Sequence, residues 1–328
     1  MQSTGDYTIP QKQVKRVALE EHFVINQPDH IDRWLALIPN IPRAAREKIL
    51  PVLADTGDRR LEAMSKANID VAVLSNVGTV QGVLDSAPAM RLAHQANDAL
   101  AAVVAKNPTR YAGFATVPLQ DPKAGAEELE RAVTQLGMKG TLIIGHTNGL
   151  YLDDERFLPF WERAEALQAP VYLHAADAMI TPATYAGRPE LIGATWSWTA
   201  ETAAHALRLI FGGVFKRFPN TKLLLGHMGE ALPYLLWRID QRSQAFGGGD
   251  TKPSEIIRKN IAVTTAGVFS DEPLNCAIKA LGEGSIMFSV DHPFEEMGKA
   301  SAWFDQATIS ESTRAKISRD NAVRLLKL

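Results

Sequence analysis

The chain has a single cysteine, Cys276, in 328 residues. One thiol excludes an intrachain disulfide and a cysteine-based zinc site, and it suits a reducing compartment such as the cytoplasm. Charge of neither sign dominates: 35 Lys and Arg stand against 37 Asp and Glu, a net charge of −2, with no dense basic run. That balance removes the electrostatic footprint that nucleic acid or an anionic membrane requires. No apolar run approaches the ~18 residues needed to cross a bilayer. The opening stretch from Met1 to Gln13 is polar, carries Gly5 and Pro10, and lacks the apolar core of a secretory signal, so residues 1–16 are expected to form a flexible extension. Internal repeats, low-complexity tracts and domain linkers are also missing. With 46% apolar and 22% charged residues the composition is that of an ordinary globular protein. These absences leave small-molecule chemistry in a pocket as the place to look for function.

Short β-type runs alternate with amphipathic helical stretches along the chain, the pattern of βα units around a parallel sheet. The runs are 17–23, 70–77, 111–117, 140–145, 171–175, 221–227, 261–267 and 286–291. Helices are expected at 58–68, 86–106, 122–136, 155–168, 200–217, 229–244, 270–282, 296–308 and 320–327. The third of these opens on Asp121-Pro122 and repeats apolar residues at Ala126, Leu129, Val133 and Leu136, so both its start and its buried face are legible. Eight strands with interleaved helices is the count of a (β/α)8 TIM barrel, which runs to about 250 residues plus insertions. We therefore expect an α/β protein with one barrel domain over 17–328 and insertions at 24–57 and 176–199. The first insertion carries Pro28, Pro39, Pro42 and Pro51; the second carries Trp196 and Trp198, as pocket wall or subunit contact.

Four of the apolar runs end in metal-competent side chains: Val17-Ala18-Leu19-Glu20-Glu21-His22, Val171-Tyr172-Leu173-His174, Leu223-Leu224-Leu225-Gly226-His227 and Ile286-Met287-Phe288-Ser289-Val290-Asp291. Barrel strands deliver the residues at their C-terminal ends to one shared pocket. Glu20 and His22 are two apart on a strand and face the interior together, which leaves Glu21 pointing outward. With His174, His227 and Asp291 they make a set of imidazoles and carboxylates suited to Zn²⁺ or Mn²⁺. His30 and His94 read as surface residues, and His205 as a packing or contact residue.

Glu-x-His on strand one, His on five and six and Asp on eight resemble the amidohydrolase superfamily, whose usual opening is His-x-His. Glu20 in place of that first His is similar to the nonoxidative o-hydroxybenzoate decarboxylases. So are Ala18-Leu19-Glu20-Glu21-His22-Phe23, Leu225-Gly226-His227-Met228-Gly229-Glu230, Trp237-Arg238-Ile239-Asp240 and Phe288-Ser289-Val290-Asp291-His292-Pro293-Phe294-Glu295. This branch acts on γ-resorcylate, 2,3-dihydroxybenzoate or salicylate and is related to aminocarboxymuconate semialdehyde decarboxylase. The resemblance implies a distorted barrel of the amidohydrolase type and one divalent metal per subunit, Mn²⁺ or Zn²⁺ with Mg²⁺ as a further option, held by Glu20, His22, His174 and Asp291. It also implies no organic cofactor, a small aromatic carboxylate as substrate, and a homodimer or homotetramer. Ile143-Ile144-Gly145-His146 stands where binuclear amidohydrolases carry a bridging lysine, so one metal is expected.

Expelling CO₂ directly from an aryl carboxylate would leave a localised anion, so the ring carbon must be protonated first, and Asp291 is the candidate acid. Such a carboxyl holds a proton near neutral pH only if burial or a neighbouring anion raises its pKa. His227 is placed to help carry the proton. Glu230 is placed to orient His227, or serves as an ordinary carboxylate at a helix start. Phe23 and Phe294 flank the ligand motifs and are candidates to sandwich the substrate ring, Arg238 to meet an anionic group or to pair with Asp240 or Glu201, and His292 to contact a ring hydroxyl or face solvent. The same ligands would also serve a hydrolase of a lactone, ester or amide through activated water.

Overall fold

The computed structural model describes residues 16–37, 42–245 and 251–328, so the expected 1–16 extension lies almost wholly outside the described residues. Eight parallel strands form the barrel: β1 (Arg16–Phe23), β2 (Ile69–Asn76), β3 (Tyr111–Gly113), β4 (Thr141–Ile144), β5 (Val171–His174), β6 (Leu223–Leu225), β7 (Ile261–Thr264) and β8 (Ile286–Met287). They pair in order as β1-β2-β3 and β4-β5-β6-β7-β8. Single bridges at Ala115↔Thr141 and Glu21↔His292 close the two seams. At the second seam the His22 N–H donates to the His292 carbonyl at 2.7 Å, and the Asp291 N–H to the Glu20 carbonyl at 3.0 Å. The barrel is distorted here because β8 ends at Met287 and Asp291 follows with a φ of +80°.

Most expected helices lie within a few residues of their predicted bounds. Asp121 caps Pro122–Thr134 by accepting from the Lys123 and Ala124 N–H groups. Gly125 fits there because a Cβ would lie 2.9 Å from the Pro118 carbonyl oxygen. The stretch read as 200–217 begins earlier and breaks, giving Ser197–Phe211 and Val214–Arg217 around a left-handed Gly213. The helix expected from 229 begins only at Leu232. The 24–57 insertion holds two helices, Pro28–Leu37 and Arg43–Leu53, and no strand among its described residues. His30 on the first is fully buried, against expectation, where its carbonyl packs closely on Gly78. Trp198 packs on the same insertion with Trp34 and Leu53, so the two insertions meet. Trp196 stays half exposed. His94 is exposed and pairs with Glu128, as a surface residue should.

Two cores result from the strand alternation. Val17, Leu19, Val73, Phe114, Leu142, Ile144, Tyr172, Leu224 and Met287 plug the barrel interior, and Ala322 and Leu326 of the terminal helix close its floor. A larger layer, including Ala18, Phe23, Leu74, Leu173 and Leu225, packs between strands and helices. Such a filled interior leaves only the C-terminal mouth for chemistry. β1 carries a register shift between Ala18 and Glu21. One extra residue there lets Leu19 join the plug while Glu20 and His22 still face inward.

Candidate metal centre and its surroundings

Glu20, His22, His174 and Asp291 converge at the mouth, with one donor atom from each lying within 4.8 Å of all the others. His22 Nε2 is 3.1 Å from Asp291 Oδ1 and 3.2 Å from His174 Nε2. His174 Nε2 is 3.4 Å from Glu20 Oε1. These spacings match ligands sharing one ion, since bonds of ~2.1 Å at tetrahedral angles place donors roughly 3.4 Å apart. The outer ring nitrogens are already engaged: His174 Nδ1 donates to the Ala175 carbonyl at 2.8 Å, and His22 Nδ1 meets the Ser75 hydroxyl at 2.9 Å. The two Nε2 atoms therefore point at each other and at two carboxylate oxygens, Glu20 Oε1 and Asp291 Oδ1, that are buried without a hydrogen-bond partner. A buried anion without a partner is costly, and a divalent cation is the group that satisfies all four donors at once. Burial, with repulsion from His22, pushes the His174 imidazole down to about 3, which keeps it neutral as a ligand must be.

His227 stands beside this ring rather than in it. Its Nε2 is 3.7 Å from Asp291 Oδ2, and its Nδ1 is 2.7 Å from Glu230 Oε1. The backbone from His227 through Ala231 runs entirely at positive φ, 49° to 82°. Non-glycine residues avoid that region, so four of them in one left-handed turn store strain that surrounding packing must hold. The turn explains the late start of the following helix and lets Glu230 fold back onto His227 instead of capping a helix. Burial lowers the His227 pKa, but the Glu230 carboxylate and the nearby Asp291 carboxylate outweigh it, so the imidazole sits well above its ordinary value. For Asp291, burial pushes upward, yet the His22 and His227 imidazoles beside its two oxygens prevail and hold the carboxyl below its usual range. Of this pair His227 is therefore the more basic group.

Other expected site residues separate. Phe294 comes to the mouth, 37% exposed, its ring 5.8 Å from the His22 ring. Phe23 does not; strand alternation turns it away from His22 into the outer core. Arg238 is exposed on helix Leu232–Ala245 and makes no hydrogen bond or ion pair with a described residue, while Asp240 binds Ser254 instead. His292 meets the centre through its carbonyl and also lines a neighbouring cavity of about 400 Å³ with Ala67, Pro293 and Met297, whose lining contains none of the four ligands. His146 turns to its own loop and accepts the Gly149 N–H at 3.0 Å.

Sequence reasoning missed the supports. Glu21 does point outward, but it is fully buried and accepts from the Val290 N–H at 3.0 Å and the Ser289 hydroxyl at 3.3 Å. Burial drives its carboxyl up to about 8. Arg60 is buried beside it and donates to the His22 carbonyl at 2.5 Å. Tyr172 donates to Glu20 Oε2 and meets Thr264 Oγ1 at 2.9 Å. The signal for Ser75, Tyr172 and Thr264 was strand alternation, which places each on the interior face.

A (β/α)8 barrel with a Glu/His/His/Asp cluster at its mouth is the scaffold and donor set of a metal-dependent enzyme. Residues 28–328 match the amidohydrolase family. The γ-resorcylate decarboxylase of Rhodococcus jostii (strain RHA1) is 40% identical over 329 residues, covering 95% of this chain and 98% of the relative. The crystal structure of a 2,6-dihydroxybenzoate decarboxylase complexed with 2,6-dihydroxybenzoate superposes with a TM-score of 0.89 at 39% identity, covering 96% of this chain and 99% of that one. A dihydroxybenzoic acid decarboxylase from Polaromonas sp. JS666 with bound manganese and 2-nitroresorcinol gives 0.87 at 39% identity, over 96% and 97%. The chain belongs to the amidohydrolase family, in its branch of nonoxidative o-hydroxybenzoate decarboxylases.

Proposed function

We propose that the protein is a metal-dependent, nonoxidative and reversible carboxy-lyase that converts an ortho-hydroxylated benzoate, 2,6-dihydroxybenzoate first among them, to the phenol and CO₂. The observation that carries this is the ring of four buried donors with two partnerless carboxylate oxygens, in a chain whose full-length relatives act on dihydroxybenzoates. Glu20 in the place of a first histidine and the lack of a lysine at the end of β4 favour this over hydrolysis of a lactone, ester or amide.

Glu20, His22, His174 and Asp291 would hold a divalent ion, Mn²⁺ in the first instance with Zn²⁺ or Mg²⁺ as alternatives, which would supply positive charge to orient and offset an anionic substrate. The chain's own residues handle the proton. Asp291 delivers it to the ring carbon that bears the carboxylate, forming a C–H bond; the C–C bond to the carboxylate then breaks, its electron pair restores the aromatic ring, and CO₂ leaves. His227 recharges Asp291 from the Oδ2 side, and Glu230 keeps the imidazole protonated and aimed. Phe294 covers the ring at the mouth and excludes water.

We place the enzyme in the cytoplasm; no helix among the described residues is long and apolar enough to cross a membrane. We also propose a homodimer or homotetramer, supported by Tyr234 and Trp237, 82% and 73% exposed on one helix. Light scattering after gel filtration tests the assembly, and a monomeric mass refutes it. The activity is tested by anaerobic incubation of metal-analysed enzyme with 2,6-dihydroxybenzoate, 2,3-dihydroxybenzoate and salicylate, following CO₂ and phenol. Metal-replete enzyme inert to all three would overturn the decarboxylase reading.

A further inference from the structure

Glutamate at the first ligand position poses a problem that histidine does not. An imidazole turned to a metal offers one donor, whereas a carboxylate offers two oxygens and can bind through either or both. Glu20 is fully buried, and its two oxygens have different surroundings. Oε1 has no hydrogen-bond partner and faces His174 and His22 at 3.4 and 3.9 Å. Oε2 is occupied: the Tyr172 hydroxyl donates to it, and Thr264 Oγ1 stands 3.5 Å away. Tyr172 is itself fixed by the 2.9 Å contact with Thr264 and by packing against Phe114, ring centroids 5.9 Å apart. Gly226 forms the third wall, where even a Cβ would lie 2.7 Å from Oε2. Tyr172 reaches this position because it precedes the ligand His174 by two residues on β5, on the same interior face.

We propose that Tyr172 is a positioning residue which, backed by Thr264, takes one oxygen of Glu20 out of play and makes that carboxylate a one-oxygen metal ligand, the counterpart of a histidine. This rests on the metal-site reading above. A site limited to single-oxygen carboxylate binding disfavours large ions such as Ca²⁺, which take six to eight oxygens and accept carboxylates through both. Small ions satisfied by four donors are not penalised. Tyr172 thus contributes to the choice of metal without touching it.

The test uses the full chain stripped of metal, with variants Tyr172→Phe and Thr264→Val. Mn²⁺ affinity is measured by competition with a chromophoric chelator, and the excess of Ca²⁺ needed to displace Mn²⁺ is titrated in parallel. Tyr172→Phe should weaken Mn²⁺ binding by roughly 10- to 100-fold, the usual effect of losing a group that orients a ligand. It should also lower the Ca²⁺ excess required, and Thr264→Val should move both readouts the same way by less. Mn²⁺ and Ca²⁺ binding weakened equally would mean that Tyr172 only packs, and Mn²⁺ affinity within twofold of wild type would remove it altogether; either overturns the inference. If Tyr172→Phe does not fold, Thr264→Val decides by the same two readouts. A wild-type chain that binds no Mn²⁺ would instead overturn the metal-site reading itself.

Discussion

Glu230→Gln isolates the part of the site that handles the proton, because it removes a charge while leaving the side chain's size and an acceptor oxygen. In the native protein the buried Glu230 Oε1 accepts from the partly exposed His227 Nδ1 at 2.7 Å. A hydrogen bond to an ionised partner contributes about 1.5–3 kcal/mol and a neutral one about 0.5–1.5. The substitution should therefore cost about 1–2 kcal/mol in any state that needs a protonated, aimed imidazole, or roughly 5- to 30-fold in rate. The His227 pKa is raised mainly by this carboxylate working against burial. Without it the imidazole gives up its proton at lower pH, so the alkaline limb of kcat must move in the acid direction. The assay is a pH series of kcat and KM for 2,6-dihydroxybenzoate decarboxylation, with KM expected within about twofold of wild type because Glu230 lies behind His227. Unchanged kcat with an unmoved alkaline limb would refute the proton relay.

Three other outcomes are expected. Asp291→Asn should abolish turnover while substrate binding stays measurable by calorimetry, and wild-type-like turnover would remove Asp291 as the proton carrier. Chelation should inactivate the enzyme and added Mn²⁺ should restore it; full activity in protein shown to be metal-free would sink the mechanism. His205, buried and accepting the Leu152 N–H at 2.9 Å, is held down to about 3 by burial. The unfolded chain protonates it near 6.5, so between these values the unfolded state binds more protons, and stability present above pH 6.5 is lost as pH falls. Its share is about 1.4 kcal/mol per pH unit. In His205→Gln the decline of urea-unfolding free energy between pH 6 and 4 should be shallower by about that amount, and an unchanged slope would show that His205 does not couple stability to pH.

Much of this protein is legible along the chain. Each strand of the barrel is a short apolar run, because a strand buried on both faces has no room for polar residues except at its end. That is why Glu20, His22, His174, His227 and Asp291 stand out in a linear reading, and why Asp121-Pro122 announces a helix start. Residues whose role depends on a partner far away in sequence are not legible in this way. Phe23 looks like a pocket residue beside His22 until alternation turns it to the outer core, and Arg238 sits in a recognisable motif yet lies on an exposed helix face. His30 reads as polar surface until the first insertion folds over Gly78.

The amino-acid order by itself determined the barrel and the strand-end donors Glu20, His22, His174, His227 and Asp291, since periodicity and strand-end chemistry are local properties; the ligand set of four and the chemical class followed from resemblance to the o-hydroxybenzoate decarboxylases. Only the tertiary structure decided which charged groups face one another and how each ligand is held. Those depend on burial and on distances between strands: the Glu230 fold-back through a left-handed turn, the imidazoles of His22 and His227 beside Asp291, and the Tyr172 hydroxyl that occupies one oxygen of Glu20 across 152 residues of chain. Electrostatic energies vary with spatial separation and solvent exposure, and neither is written in sequence separation.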